Sequence, residues 1–148
     1  MGGRRHPHGR DAGLIGSRGR SQEESMRSVL VIDDDVQVRR YLRELLERDG
    51  FRVVLAEDGE QGLACFRQQR PDLVITDLFM PHREGLETIQ LLRGLDPAVP
   101  VIAMSGKHRQ LKGSLFIAAR HLGACDALSK PFSNDELRAA VGRVLAPA

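Results

Sequence analysis

Four stretches of this sequence end on groups that can do chemistry. Val29-Leu30-Val31-Ile32 closes on Asp33-Asp34-Asp35, and Leu73-Val74-Ile75-Thr76 closes on Asp77. Val101 to Met104 closes on Ser105, and the short run Asp126 to Ser129 leads into Lys130-Pro131-Phe132. If these ends meet, the three carboxylates of Asp33, Asp34 and Asp77 share one crevice. Two unit charges about 4 Å apart repel by roughly 4 kcal/mol at an effective dielectric near 20. Such a cluster either holds protons at raised pKa or binds a cation. Oxygen-only ligands select hard ions, and Mg²⁺, which keeps several waters, suits a shallow acidic site. Lys130 adds a mobile point charge and Ser105 a hydroxyl. Together with the metal they can neutralise the oxygens of a transferring phosphoryl group. Asp77 is then the nucleophile, and the product is an acyl phosphate.

Each piece has an ordinary reading when taken singly. Asp34 or Asp35 can cap the helix that follows, Ser105 can begin a turn, and a lysine before proline is often only solvated. The joint placement, each group at the carboxyl end of an apolar run, is what favours phosphoryl transfer.

The elements that must position these groups are legible in the hydropathy pattern. Leu73 to Thr76, bounded by Pro71 and Pro81, reads as a strand buried on both faces. Val53-Val54-Leu55 is a further strand, giving five with those above. Between them, Val38, Tyr41, Leu42, Leu45 and Leu46 fall on one face of a helix stopped at Asp49-Gly50. Leu63 and Phe66 anchor a second helix, and Leu86, Ile89 and Leu92 a third. A polar loop, Gly106 to Gly113, leads to a helix with Leu115, Ala119 and Leu122. Ser133 and Glu136 form a capping box for a last helix facing the core with Leu137, Val141, Val144 and Leu145. Strands alternating with helices predict an α/β fold, a flavodoxin-like (βα)5 three-layer sandwich with parallel sheet order 2-1-3-4-5. In that order the first and third strands are neighbours. Asp33-Asp34 and Asp77 then flank the crevice where open α/β sheets bind ligands.

Composition narrows the function. The 148-residue chain carries a formal charge of +2. Residues 1–27 hold six arginines against three acids, which leaves −1 on residues 28–148. The folded part is near neutral, so direct DNA binding is not expected. Residues 1–27, rich in Gly, Arg, His and Ser, read as a disordered basic extension, with Met26 as the expected start of translation. Residues 28–148 read as one domain with no output module following it. No apolar run suits a membrane span, and Cys65 and Cys125 fit no metal or redox spacing. A cytoplasmic protein with reduced thiols is the expectation.

The motif set resembles the receiver domain of bacterial two-component response regulators. The likeness rests on Val31-Ile32-Asp33-Asp34-Asp35 with Arg39, on Asp77-Leu78-Phe79-Met80-Pro81 with Gly85, on Ser105, and on Lys130-Pro131-Phe132. It implies that Asp77 accepts phosphate from a phospho-histidine on a sensor histidine kinase or histidine phosphotransfer protein. It implies that Asp34 and Asp77 bind Mg²⁺ directly, with Asp33 acting through water and the Phe79 carbonyl as a further ligand. Asp35 falls at a variable position and is read as a cap. Ser105 would bond a phosphoryl oxygen, Lys130 would pair with the phosphate, and the Lys130–Pro131 bond would be cis. The protein would then be a phosphorylation switch acting on a downstream protein target, not a turnover enzyme. Its oligomeric state, including a homodimer, is left open.

Departures from that pattern carry their own expectations. The last-strand position that commonly holds an aromatic switch residue is Ala127, which favours an alternative: a receiver-fold interaction module working without phosphate. Phe79 has no polar side-chain group to orient an attacking water, which predicts a long-lived phosphoryl group. The loop after Ser105 looks about three residues longer than in typical members. Leu115 to Ala119 is apolar all round, so it is either core or a docking face. His82, His108 and His121 are read as surface residues. A haloacid-dehalogenase-like phosphatase using Asp33-x-Asp35 would need Gly-Thr-like residues after the pair, where this chain has Val36-Gln37.

Overall fold

The computed structural model describes residues 26–79, 85–106 and 112–146. The expectations for residues 1–25, Met80, Pro81, His82, His108 and the length of the loop after Gly106 fall outside the described residues.

Among the described residues, five strands alternate with five helices. In chain order they are β1 (Ser28–Ile32), α1 (Val36–Arg48), β2 (Arg52–Ala56), α2 (Gly59–Gln69), β3 (Leu73–Asp77) and α3 (Gly85–Leu95). β4 (Val101–Ser105), α4 (Lys112–His121), β5 (Asp126–Ser129) and α5 (Asn134–Leu145) complete the series. All strand pairs are parallel, in the order β2-β1-β3-β4-β5 expected from the sequence.

The alternation of side chains along each strand divides the core in two. Leu30, Ile32, Val74, Val101 and Ala103 meet Phe66 of α2, Ile89 and Leu92 of α3, and Ala119 of α4 on one face. Val29, Val31, Ile75, Ile102 and Met104 meet Leu42, Leu45 and Leu46 of α1 and Leu137 and Val141 of α5 on the other. Every residue of β1, β3 and β4 is buried. Covering both faces is why these runs are mainly apolar, with Ser28 and Thr76 as buried polar exceptions and Asp77 and Ser105 at the carboxyl ends of β3 and β4.

The caps form as the sequence indicates. Asp35 accepts from the Gln37 N–H at 2.9 Å to start α1, and Gly50 follows its end at φ 93°. Ser133 and Glu136 exchange both bonds of the capping box at the start of α5, at 3.1 and 3.2 Å. One helix end is unexpected. Arg70, not a glycine, takes the left-handed conformation (φ 47°) after α2, and its guanidinium lies over the Phe66 ring.

Two side-chain placements and one helix boundary refine the sequence reading. Tyr41 is 38% exposed, not core. It stands at the margin of the α1 stripe, where its hydroxyl hydrogen-bonds Asn134 and its ring tilts against Phe132. Residue 113 belongs to α4 rather than to the loop, because the helix already begins at Lys112. The apolar stretch in α4 also splits: Ala119 is buried, Phe116 packs against the core, and Ile117 is 62% exposed. The side chain of Leu115 lies outside the described residues.

Candidate functional site

The two carboxylate-bearing strands are neighbours, since β1 pairs with β3 from Val29 opposite Leu73 to Ile32 opposite Thr76. The next residues, Asp33 just past β1 and Asp77 at the end of β3, therefore stand side by side at the carboxyl edge of the sheet. Asp33, Asp34 and Asp77 each bring a carboxylate oxygen within 4.8 Å of the others. β4 adds Ser105, one step past the pairing of Asp77 with Met104. Lys130 is tied to it by a backbone bond, its N–H donating to the Ser105 carbonyl at 2.9 Å. The Lys130–Pro131 bond is cis. The groups singled out from the sequence therefore share one rim of the sheet.

Their partners are unequal. Asp33 is fully buried, and both its carboxylate oxygens are committed. Oδ1 accepts from the Asp35 N–H at 2.9 Å and Oδ2 from Lys130 Nζ at 2.6 Å. Asp77 is equally deep, but Lys130 Nζ stands off at 3.5 Å from its Oδ2. That oxygen and the buried Ser105 Oγ find no hydrogen-bond partner among the described residues. Buried polar atoms are nearly always satisfied, so two orphans on adjacent strand ends are informative.

The electrostatics follow from burial. Desolvation pushes the Asp77 carboxyl up to about 6, with the Asp33 charge adding to it and Lys130 and the Phe79 N–H opposing. Burial also raises Asp33, outweighing the bonds from Lys130 and the Asp35 N–H. Burial alone would lower Lys130, but the Asp33 hydrogen bond and the Asp77 and Asp33 charges outweigh it and raise it. The two ends of this ion pair differ because Asp33 is wholly buried while the Lys130 side chain is 19% exposed. The ammonium therefore stays charged within a cluster that resists a second negative charge.

Two glycines permit the close approach of these parts. A Cβ on Gly85 would lie 2.2 Å from the Asp77 carbonyl, and one on Gly106 would lie 2.5 Å from Lys130 Cβ. Gly106 entered the sequence reading only as the start of a loop; a glycine directly after a strand-end serine was the available signal. An open, mostly apolar groove of about 670 Å³ runs beside the rim between Val38 and Tyr41 of α1 and Phe132. It reaches Asp33 and Lys130, while Asp77 is not in its wall.

A model of the response regulator receiver domain family matches residues 29–142. The chain belongs to that family. This receiver is 45% identical over 114 residues to the KDP operon transcriptional regulatory protein KdpE of Escherichia coli, covering 77% of this chain and 49% of the relative. It is 38% identical over 120 residues to the transcriptional regulatory protein CpxR of Escherichia coli, covering 81% of this chain and 50% of the relative. A receiver domain protein from Clostridium thermocellum superposes with a TM-score of 0.74 at 31% identity, covering 81% of this chain and 94% of that one. The chemotaxis protein CheY4 of Vibrio cholerae superposes with a TM-score of 0.74 at 28% identity, covering 82% of this chain and all of that one.

The receiver spans about half the length of the curated relatives it matches. Those relatives are transcriptional regulators, so they lend no support to a stand-alone protein or to the expectation of no direct DNA contact. Mg²⁺ binding at the acidic pocket and aspartyl phosphorylation are general features of the family. The residues here fit the ion: three carboxylates converge, and Asp77 carries a buried oxygen, Oδ2, with no hydrogen-bond partner among the described residues. Among the described residues no helix is long and apolar enough to cross a membrane.

Proposed function

We propose that this receiver accepts a phosphoryl group on Asp77, in the cytoplasm, from a phospho-histidine of a sensor histidine kinase or histidine phosphotransfer protein. The resulting acyl phosphate changes its affinity for a downstream protein target. The observation that carries this reading is Asp77 Oδ2, a buried carboxylate oxygen with no hydrogen-bond partner among the described residues and an ammonium 3.5 Å away. Leaving such an atom unsatisfied costs about 1–3 kcal/mol, a cost that makes sense for a nucleophile kept free to react.

Asp34 and Asp77 would hold Mg²⁺ directly, with the Phe79 carbonyl as a further ligand. Asp33, whose oxygens are both engaged, would act through water. Bound there, the ion offsets repulsion among the carboxylates and neutralises charge on the phosphoryl oxygens. The Asp77 oxygen attacks phosphorus in line, the P–N bond to the donor imidazolium, protonated on its other nitrogen, breaks, and neutral imidazole leaves with the bonding pair. Lys130 pairs with one phosphoryl oxygen, and the Ser105 hydroxyl donates to another. These new bonds pull on the ends of β4 and β5, and the face built from α4, β5 and α5 shifts between two arrangements.

The test is transfer from a phosphorylated histidine phosphotransfer protein of the same host. Label should move to the wild type with Mg²⁺, and not to Asp77→Asn or in the presence of a chelator. Equal labelling of Asp77→Asn would refute the assignment.

One observation favours a second reading, an interaction module that works without phosphate. Ala127, half-buried on β5 and paired with Ala103, offers no ring to follow a movement of Ser105. Titration with Mg²⁺ and beryllofluoride separates the two. Silent amides at Ser105 and Lys130 would favour the module, and shifted ones the switch.

A further inference from the structure

Asp33 is anchored on every side. Its N–H donates to the Ala56 carbonyl at 3.1 Å, and its two carboxylate oxygens are held by the Asp35 N–H and by Lys130. Its carbonyl is a separate matter. It lies one residue past the last pairs of β1, Ile32 with Ala56 and Ile32 with Thr76, so the sheet ladder has ended there. Arg39, in the first turns of α1, takes it instead, donating from Nη1 at 2.7 Å. The Arg39 N–H is itself fixed to the Asp35 carbonyl at 3.1 Å. The helix that Asp35 caps thus reaches back and holds the strand end that precedes it.

That carbonyl belongs to the peptide joining Asp33 to Asp34. A peptide unit is rigid and planar from one Cα to the next. Fixing its oxygen therefore fixes the plane from which the Asp34 side chain departs. Both carboxylates that flank this peptide belong to the three-aspartate cluster. Without the guanidinium the carbonyl would lose this bond, leaving the Asp35 N–H bond to Asp33 Oδ1 to hold the turn, and the peptide plane would tilt more easily.

We propose that Arg39 is a positioning residue for the metal site: its bond to the Asp33 carbonyl aims the Asp34 carboxylate and so sets the Mg²⁺ affinity of the cluster. The inference rests on the reading of Asp33, Asp34 and Asp77 as that site. Partners that orient ligands in this way are typically worth about 10–100-fold in metal affinity.

The experiment compares the wild type with Arg39→Met, Arg39→Gln and Arg39→Lys. Mg²⁺ alone is titrated by calorimetry, and amide hydrogen exchange is read without metal. Arg39→Met, which keeps the stem but has no donor, should bind Mg²⁺ about tenfold more weakly. Arg39→Gln and Arg39→Lys, which can still donate, should recover part of that loss. Phosphoryl uptake by Arg39→Met should need more Mg²⁺ yet approach the wild-type rate at saturation. In metal-free protein its Asp35 amide should exchange faster while the amides of β3 and β4 stay protected. Wild-type Mg²⁺ affinity in Arg39→Met overturns the role of Arg39. Weakened binding that neither donor variant rescues, with faster exchange across the whole sheet, overturns it too, since that marks a merely structural side chain. If the wild type itself takes no Mg²⁺, the failure lies in the reading of the site, which the wild-type titration alone reveals.

Discussion

Lys130 is held by Asp33: its Nζ lies 2.6 Å from Asp33 Oδ2 and 3.5 Å from Asp77 Oδ2. The lysine is thus parked beside the nucleophile on a neighbouring carboxylate. It can swing to a phosphoryl group without crossing solvent. Removing it strands a fully buried carboxylate, and breaking such a pair from one side costs about 3 kcal/mol. Lys130→Met should lose that much stability to urea at pH 7 without Mg²⁺. Adding Asp33→Asn to Lys130→Met should return part of it, because no unpaired charge is then left. Urea unfolding of the two single variants and the double variant, as a double-mutant cycle, checks this; strictly additive losses would contradict it.

The pH dependence follows from Asp77. Its carboxyl titrates at about 6 in the folded protein against 3.8 ordinarily, so between those values the folded state binds more protons than the unfolded one. Stability from this group is therefore full below pH 3.8 and falls as pH rises to about 6. Asp77→Asn abolishes the loss. The variant should exceed the wild type by up to about 3 kcal/mol at pH 7 without metal, and by only about 0.5 kcal/mol at pH 4. Asp33, also raised, adds a loss of the same sign in both proteins. Lys130, raised from 10.5, affects only the alkaline limb, where its stabilisation is lost as pH climbs through its folded value. Denaturant midpoints from pH 4 to 8 are the measurement.

Mg²⁺ should reverse the same penalty. An ion that binds only the folded protein stabilises it by about 2.7 kcal/mol at one hundred times its dissociation constant. Thermal unfolding with and without Mg²⁺ should show that gain in the wild type and little of it in Asp34→Asn. A response kept whole in Asp34→Asn would remove Asp34 from the ligand set.

Phe79, half-buried two residues after Asp77, supplies no side-chain hydrogen bond to a water. The phosphorylated protein should keep its label for minutes or longer. Phe79→Asn should shorten that lifetime about tenfold, less than the roughly 10²–10⁴ of a full proton-transferring group. Decay of isotopic label at pH 7.5 in both proteins checks this, and loss from the wild type within seconds would contradict it.

The sheet order and the convergence of Asp33, Asp34, Asp77, Ser105 and Lys130 were legible in the sequence, because doubly covered strands are mainly apolar and the charged or reactive groups stand out at their carboxyl ends. Asp35 as a cap and the Ser133–Glu136 box were legible for a similar reason, being local hydrogen bonds set by sequence spacing. Tyr41 was misplaced because a residue at the margin of a helical stripe can turn either way, and only the tertiary partners Asn134 and Phe132 decide. Periodicity was equally silent on Ile117 and Phe116, neighbours in one apolar run of which Phe116 packs on the core and Ile117 is exposed. The bond from Arg39 to the Asp33 carbonyl was also hidden, since it joins a side chain to a backbone atom across a helix start. Gly106 needed the coordinates too: only the Lys130 stem shows why a side chain would not fit.

The most direct measurement is chemical mapping of the phosphorylated residue. Protein phosphorylated in the presence of Mg²⁺ is reduced with borohydride, which converts an acyl phosphate to an alcohol, and its peptides are sequenced by mass spectrometry. The account predicts homoserine at position 77 and unmodified aspartate at positions 33, 34 and 35. Homoserine at any of those three, with Asp77 intact, would contradict it.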